Sequence, residues 1–348
     1  MGTQSEVVFR MPDTLTYWPW PRKINPHYEE VKAASDAWFR SFKAFGPESQ
    51  RAFDRCNFSL CASLAYPTAT KEHLRTQCDF MNLVFTIDEY TDRVTPEVVR
   101  QYFDVIIDAL KNPTKPRPSD EVILGVITQG FWALGVKSAS RTSEKHLIES
   151  FVSYAASVVQ EAEDRYRKHI RNVQDYLDVR HFTVGAYPSF ALIELGYDLP
   201  DEVKYHPIVV ALEDLTRDMI ILDNDLTSYN KEQALEECPH NIVACVMNEL
   251  QCDLHDALLW VENLYRSTRN KFLTLWTEIP SWGSETDAIA SLYLHGLAHW
   301  VRGNGAWQFE SERYFGSNGR AVQKHRMVTL IPKQLSASEP LLVHLQPL

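Results

Sequence analysis

Apolar side chains recur every three to four positions from Tyr28 almost to residue 315. That spacing lines one face of an α-helix. It predicts helices near 28–45, 51–65, 71–92, 96–111, 119–136, 143–170, 173–195, 201–232, 240–278 and 285–314. The breaks between them carry suitable punctuation. In "KNPTKPRPSD" three prolines stop one helix, and Ser119 or Asp120 is placed to cap the next. Pro239 ends another helix, with Asn241 as cap for its successor, and "EIPSWGSETD" repeats the device with Pro280, Gly283 and Ser284. Ahead of Tyr28 the pattern is different: "TYWPWPRKINPHYEE" holds Pro19, Pro21 and Pro26, each poor in a helix interior. Alternating strand patterns and two-residue turn signals are scarce. The expectation is an all-α, single-domain protein: an extended segment 1–27, a helical domain 28–315 and an extension 316–348. The tail "SASEPLLVHLQPL" reads as weakly ordered.

Composition narrows the function more than the fold. The chain has 348 residues, 45% hydrophobic and 23% charged, so it is long enough to bury a sizeable core. A formal charge of −11 speaks against nucleic acid and anionic membrane surfaces as partners. An anionic ligand would need cations between it and the protein. No apolar stretch approaches the length of a membrane span. The start, "MGTQSEVVFRMPD", lacks the apolar core of a secretory signal, and Glu6 breaks the myristoylation pattern. Cysteines 56, 61, 78, 238, 245 and 252 show no metal-ligand spacing. Cys238, Cys245 and Cys252 recur every seven residues and read as buried thiols on one helix face. Together these features fit a cytoplasmic protein.

Two acidic stretches carry the chemistry. "TIDEYTDRV" closes an apolar helix with Asp88, Glu89 and Asp92. Asp88 and Asp92 share a face, Glu89 is turned about 100° away, and Val84 and Met81 lie one and two turns below Asp88. The acid tops an apolar wall. In "MIILDNDLTSYNKEQ", Asn224, Ser228 and Glu232 stand at i, i+4 and i+8 and form one stripe of oxygen donors above Met219–Leu222. An amide oxygen, a hydroxyl and a carboxylate are hard ligands, suited to Mg²⁺ rather than zinc. Facing helix ends of this kind imply Mg²⁺ held over an apolar cavity, and a ligand with a phosphate head and a greasy body.

These motifs resemble those of class I terpene cyclases, most closely the single-domain sesquiterpene synthases of basidiomycete fungi, from "YWPWPRKINP" to "ERYFGS". The resemblance implies that "DEYTD" is the aspartate-rich metal motif, with Asp88 the surer ligand and Asp92 either a ligand or an arginine partner. It makes "NDLTSYNKE" the second metal motif, with Asn224, Ser228 and Glu232 as ligands and Lys231 facing diphosphate. "ERYF" supplies Arg313 and Tyr314 to the diphosphate. In "DYLDVRHFTVGAYPSF", Arg180 is the diphosphate sensor, followed by Thr183 and by Val184 at a helix break loosened by Gly185 and Pro188. Phe85 and Trp307 become candidate walls for a carbocation, beside Met81, Val84 and Val184.

The implied reaction is ionisation of farnesyl diphosphate by a monomer or homodimer with three Mg²⁺ ions, then cyclisation. Likeness to members that close C1 onto C11 implies a humulyl route to Δ6-protoilludene, with closure between C1 and C10 as the alternative. A chain-elongating prenyl transferase would carry a second aspartate-rich motif where "NDLTSYNKE" stands. A di-iron bundle would need Glu-x-x-His pairs, and the sole candidate, Glu237–His240, is interrupted by Pro239. A non-catalytic lipid-binding protein is the remaining rival.

Overall fold

A computed structural model describes residues 7–235 and 240–333. Long helices dominate: α1 (Tyr28–Ser41), α2 (Pro47–Cys56), α3 (Phe58–Ala65), α4 (Lys71–Thr91), α5 (Pro96–Lys111), α6 (Ile123–Gly135) and α7 (Arg141–Arg167). They continue with α8 (Val173–Thr183), α9 (Ala186–Ala191), α10 (Asp201–Lys204), α11 (Pro207–Leu235), α12 (Ile242–Leu250), α13 (Leu254–Trp276), α14 (Ser284–Glu310) and α15 (Gly319–His325). Side-chain caps fix several starts. Thr70, Ser140, Asn172, Asn241 and Asp253 each accept from a backbone N–H of the first turn of α4, α7, α8, α12 and α13. Neighbouring helices close a circuit, α14–α3–α4–α6–α5–α7–α8–α11–α14, which leaves room at its centre.

Helix α5 occupies the predicted 96–111, whereas several longer predicted segments divide, and each extra break has a local cause. The 51–65 segment divides at Asn57, whose φ of 49° suits a left-handed asparagine. The 173–195 segment divides at Gly185 (φ 71°), and Pro207 starts α11 afresh. The 240–278 segment divides at Gln251 (φ 50°), so Cys252 lies past the end of α12 and does not share a helix with Cys245. Cys238, Pro239 and the "SASEPLLVHLQPL" tail lie outside the described residues. Neither Ser119 nor Asp120 caps α6: the Glu121 N–H donates to Pro118 O (3.3 Å), closing a turn that keeps both residues ahead of the helix.

The two ends of the described chain meet. β1 (Val8–Arg10) pairs antiparallel with β2 (Met327–Thr329), Phe9 opposite Val328. The proline-rich arm then crosses α13 and α14. Trp18 Nε1 donates to Ala298 O (3.0 Å), Arg302 donates to Trp18 O and Trp20 O (2.7 Å each), and Trp20 packs on Trp276 at 4.7 Å between centroids. Pairing and aromatic burial thus tie residues of both flanking segments to the helical body. Among the described residues, no helix is long and apolar enough to cross a membrane.

Candidate active site

A cavity of about 980 Å³ occupies the centre of the circuit. Asp88, Asp92, Asn224, Ser228, Glu232, Arg180, Lys231, Arg313 and Tyr314 all border it, as do Met81, Val84, Phe85, Val184 and Trp307. The sequence scattered these residues over α4, α8, α11, α14 and the turn beyond it; the fold gathers them.

The α4 side of the rim is electrostatically exposed. Asp88, Glu89 and Asp92 crowd the C-terminal turn of α4, the negative end of the helix dipole, with no basic residue in that turn. Positive charge comes from elsewhere in the chain. Arg313 Nη2 donates to Asp88 Oδ2 (3.2 Å), and Arg313 Nη1 lies 3.8 Å from Glu89. Arg165 of α7 caps the helix by donating to Thr91 O (2.7 Å) and stands 4.0 Å from Asp92. Partial desolvation by the protein atoms around it pushes the Asp92 carboxyl up, and the Asp88 carboxylate one turn back and the Glu161 carboxylate on the cavity lining push it further. The Arg313 guanidinium also lies 4.8 Å from the Phe85 ring, which stacks on Phe58 at 3.9 Å. Phe85 therefore supports an arginine as well as lining the cavity. Trp307 is fixed by its Nε1 donating to Cys56 O (2.8 Å).

The α11 side is braced from three directions. Arg180 of α8 donates to Asn224 Oδ1 (2.7 Å) and to Asp225 Oδ1 (3.3 Å). Asn224 Nδ2 donates to Tyr314 OH (2.9 Å), leaving the phenol proton available to another acceptor. Asp225 also accepts from Tyr176 OH and from the Ile242 N–H at the start of α12 (2.9 Å). Asn241, read from the sequence only as a cap, does cap α12, and its Nδ2 also donates to Glu232 Oε2 (3.0 Å) and Asp225 O (2.8 Å). Burial opposes charge on Arg180, but the Asp225 and Glu161 carboxylates outweigh it and hold the guanidinium protonated. Burial pushes Glu232 up to about 7, and Asp225 adds to the rise.

The donor set fits Mg²⁺. Asn224, Ser228, Glu232 and Asp88 would each coordinate through oxygen, which suits a hard divalent cation, and Mg²⁺ commonly completes its shell with water and substrate phosphates. Glu232 is half-buried with an amide partner, and a divalent cation would stabilise its ionised form.

Sequence reasoning missed Asp225, Tyr176 and Arg165. Asp225 sits inside the second motif but off its i, i+4, i+8 stripe. Tyr176 and Arg165 reach the site from α8 and α7, and no local pattern announces them.

A family description, terpene synthase family 2, C-terminal metal binding, matches residues 79–271. A Δ6-protoilludene synthase of Stereum hirsutum is 51% identical over 93% of this chain and 88% of its own length. The chain belongs to the terpene synthase family. Sesquiterpene synthase 14 of Postia placenta is 51% identical over 96% of this chain and 95% of its own. A Δ6-protoilludene synthase of Armillaria gallica is 48% identical over 94% of each chain. Among solved structures, a singly substituted cucumene synthase superposes with a TM-score of 0.76 at 21% identity, covering 84% of this chain and 99% of that one. Hedycaryol synthase in complex with HEPES gives 0.75 at 22%, covering 86% and 98%. The fold is therefore the helical fold of terpene synthases. The matched span takes in Asp88, Arg180 and the whole of Asn224–Glu232. Arg313 and Tyr314 lie beyond it and join the site through their bonds to Asp88 and Asn224.

Proposed function

We propose that the protein is a Mg²⁺-dependent sesquiterpene synthase that ionises farnesyl diphosphate, cyclises the cation by closure of C1 onto C11 and releases Δ6-protoilludene and diphosphate. One observation carries this reading: two helices, α4 and α11, present Asp88 and the Asn224–Ser228–Glu232 stripe to one cavity with an apolar wall below. The names of the curated relatives support the choice of substrate and product.

Asp88, Asn224, Ser228 and Glu232 would hold the metal, three ions in all, with Asp92 adjoining. When bound, Mg²⁺ supplies the charge that neutralises the diphosphate and favours its departure. The chain's own part is orientation and exclusion. Arg180 and Arg313 present forked N–H donors to the diphosphate oxygens, Lys231 adds a point charge, and Tyr314 gives its free phenol proton as a hydrogen bond. These groups are already held by Asp225, Asn224 and Asp88, so little reorganisation accompanies the reaction. Below them Met81, Val84, Phe85, Val184 and Trp307 keep water from the allylic cation, and the two aromatic faces attract it.

Incubating pure protein with Mg²⁺ and farnesyl diphosphate, with mass spectrometry of the volatiles, tests the reading. Δ6-protoilludene is the expected main product, and geranyl and geranylgeranyl diphosphate should turn over poorly. A cadinane or germacrene hydrocarbon would shift the assignment to 1,10 closure. Longer prenyl chains on addition of isopentenyl diphosphate would replace cyclisation with elongation.

A further inference from the structure

Arg217 lies on α11 two turns before Asn224, on the same stripe of the helix, but outside the cavity lining. It is 6% exposed. Nη2 donates to Asp214, whereas Nε and Nη1 have no hydrogen-bond partner among the described residues. The guanidinium is aimed at aromatic rings: its carbon lies 5.3 Å from the Phe182 centroid and 5.0 Å from that of Tyr187. The two rings meet edge to face at 6.1 Å and 71°. One residue along α11, Asp218 Oδ1 is 2.7 Å from His181 Nε2. Phe182 and Tyr187 flank Thr183, Val184, Gly185 and Ala186, which border the cavity at the α8–α9 break. Gly185 is left-handed there, and a Cβ on it would stand 3.2 Å from Val84 Cγ1. The break thus presses on the α4 wall from one side while Arg217 holds its two flanking rings from the other.

We propose that Arg217 is a positioning residue that clamps the Phe182–Tyr187 pair, fixes the Val184–Gly185 break against Val84, and so sets the contour in which the cation folds. The inference rests on the sesquiterpene synthase reading. A buried guanidinium gains from π faces what it forgoes in hydrogen bonds, and this holds two rings at once. Without it the break can withdraw from α4. Diphosphate binding by Arg180, Asn224 and Tyr314 would be left in place, but the hydrocarbon would be less well directed.

Arg217→Met keeps the apolar stem and removes the charge. Its product mixture from farnesyl diphosphate should shift from one dominant hydrocarbon toward several, with kcat lowered about tenfold and KM little changed. Arg217→Lys restores a cation over the rings and should return part of the original proportions. Phe182→Leu and Tyr187→Leu open the same clamp from the other side and carry the test should Arg217→Met fold poorly. Unaltered proportions in the soluble variants, with only a lower Tm, would overturn the clamp while leaving the proposed function standing. Absence of any hydrocarbon from the unsubstituted protein would overturn both.

Discussion

The two oxygen-bearing rims of the cavity are built on opposite principles. On α4 the carboxylates gather at the negative end of a helix, and the side chains of Asp88 and Asp92 are 47% and 53% exposed to the cavity space. Each is countered by a single arginine, Arg313 for Asp88 and Arg165 of α7 for Asp92. On α11 the donors sit within the helix, two of the three are neutral, and side chains from α8, the α12 start and the post-α14 turn interlock around them. One rim concentrates charge and is loosely held; the other has less charge and is tightly held. A metal cluster shared between them would find one half of its cage preformed, while the other half has a strong electrostatic need for cations.

The largest effects should come from removing the first donor of either rim. Asp88→Ala and Asn224→Ala should each lower kcat about 1,000-fold or more, with the helical circular dichroism unchanged. Chelation of Mg²⁺ should abolish turnover of the intact protein, and added Mg²⁺ should restore it. Normal activity in both variants would remove the rims from the chemistry. Arg180→Lys comes next, at about 100-fold, because an ammonium cannot replace a fork that reaches Asn224 and Asp225 together. Turnover close to that of the unsubstituted protein would move diphosphate sensing to another group.

The preformed rim should also respond to damage behind it. Asn241 reaches the stripe from behind: its amide donates to Glu232 Oε2 (3.0 Å), to Ser228 Oγ (3.5 Å) and to the Asp225 carbonyl (2.8 Å). Asn241→Ala removes that strut and the α12 cap together, so about a tenfold loss of kcat/KM with a raised Mg²⁺ requirement is expected, measured by titrating Mg²⁺ at fixed substrate. The α12 cap alone would lower Tm without altering the Mg²⁺ dependence, so the titration separates the two roles.

The contrast between the rims also explains what the sequence could and could not disclose. Asn224, Ser228 and Glu232 are legible because a straight helix converts spacing into a common face, and the same rule puts Val84 and Met81 under Asp88. The helical class and most helix positions follow from apolar periodicity in the same way. The break at Gln251 is illegible because glutamine is no stop signal and tertiary packing imposes the left-handed conformation there, whereas Asn57 is a weak local stop signal, an asparagine that tolerates that region. Asp225, Tyr176 and Arg165 escape for a different reason. Their roles depend on which helices become neighbours, and nothing within a single helix encodes that.

The smallest effect, and the one that most sharpens the comparison, belongs to Asp92. It closes the last turn of α4, its N–H bonded to Asp88 O (3.1 Å), and its carboxylate is 4.0 Å from Arg165, whose closer contact is the Thr91 carbonyl at 2.7 Å. Asp88 and Glu161 both repel its charge. A residue serving mainly to add negative potential should tolerate loss of that charge. Asp92→Asn should keep activity within about threefold and raise Tm slightly without Mg²⁺, since one carboxylate leaves a crowded helix C-terminus. If Asp92→Asn instead falls as far as Asp88→Ala, α4 supplies two metal ligands rather than one. Its charge would then be a coordinating set, and the loosely held rim would owe its order to the ions themselves.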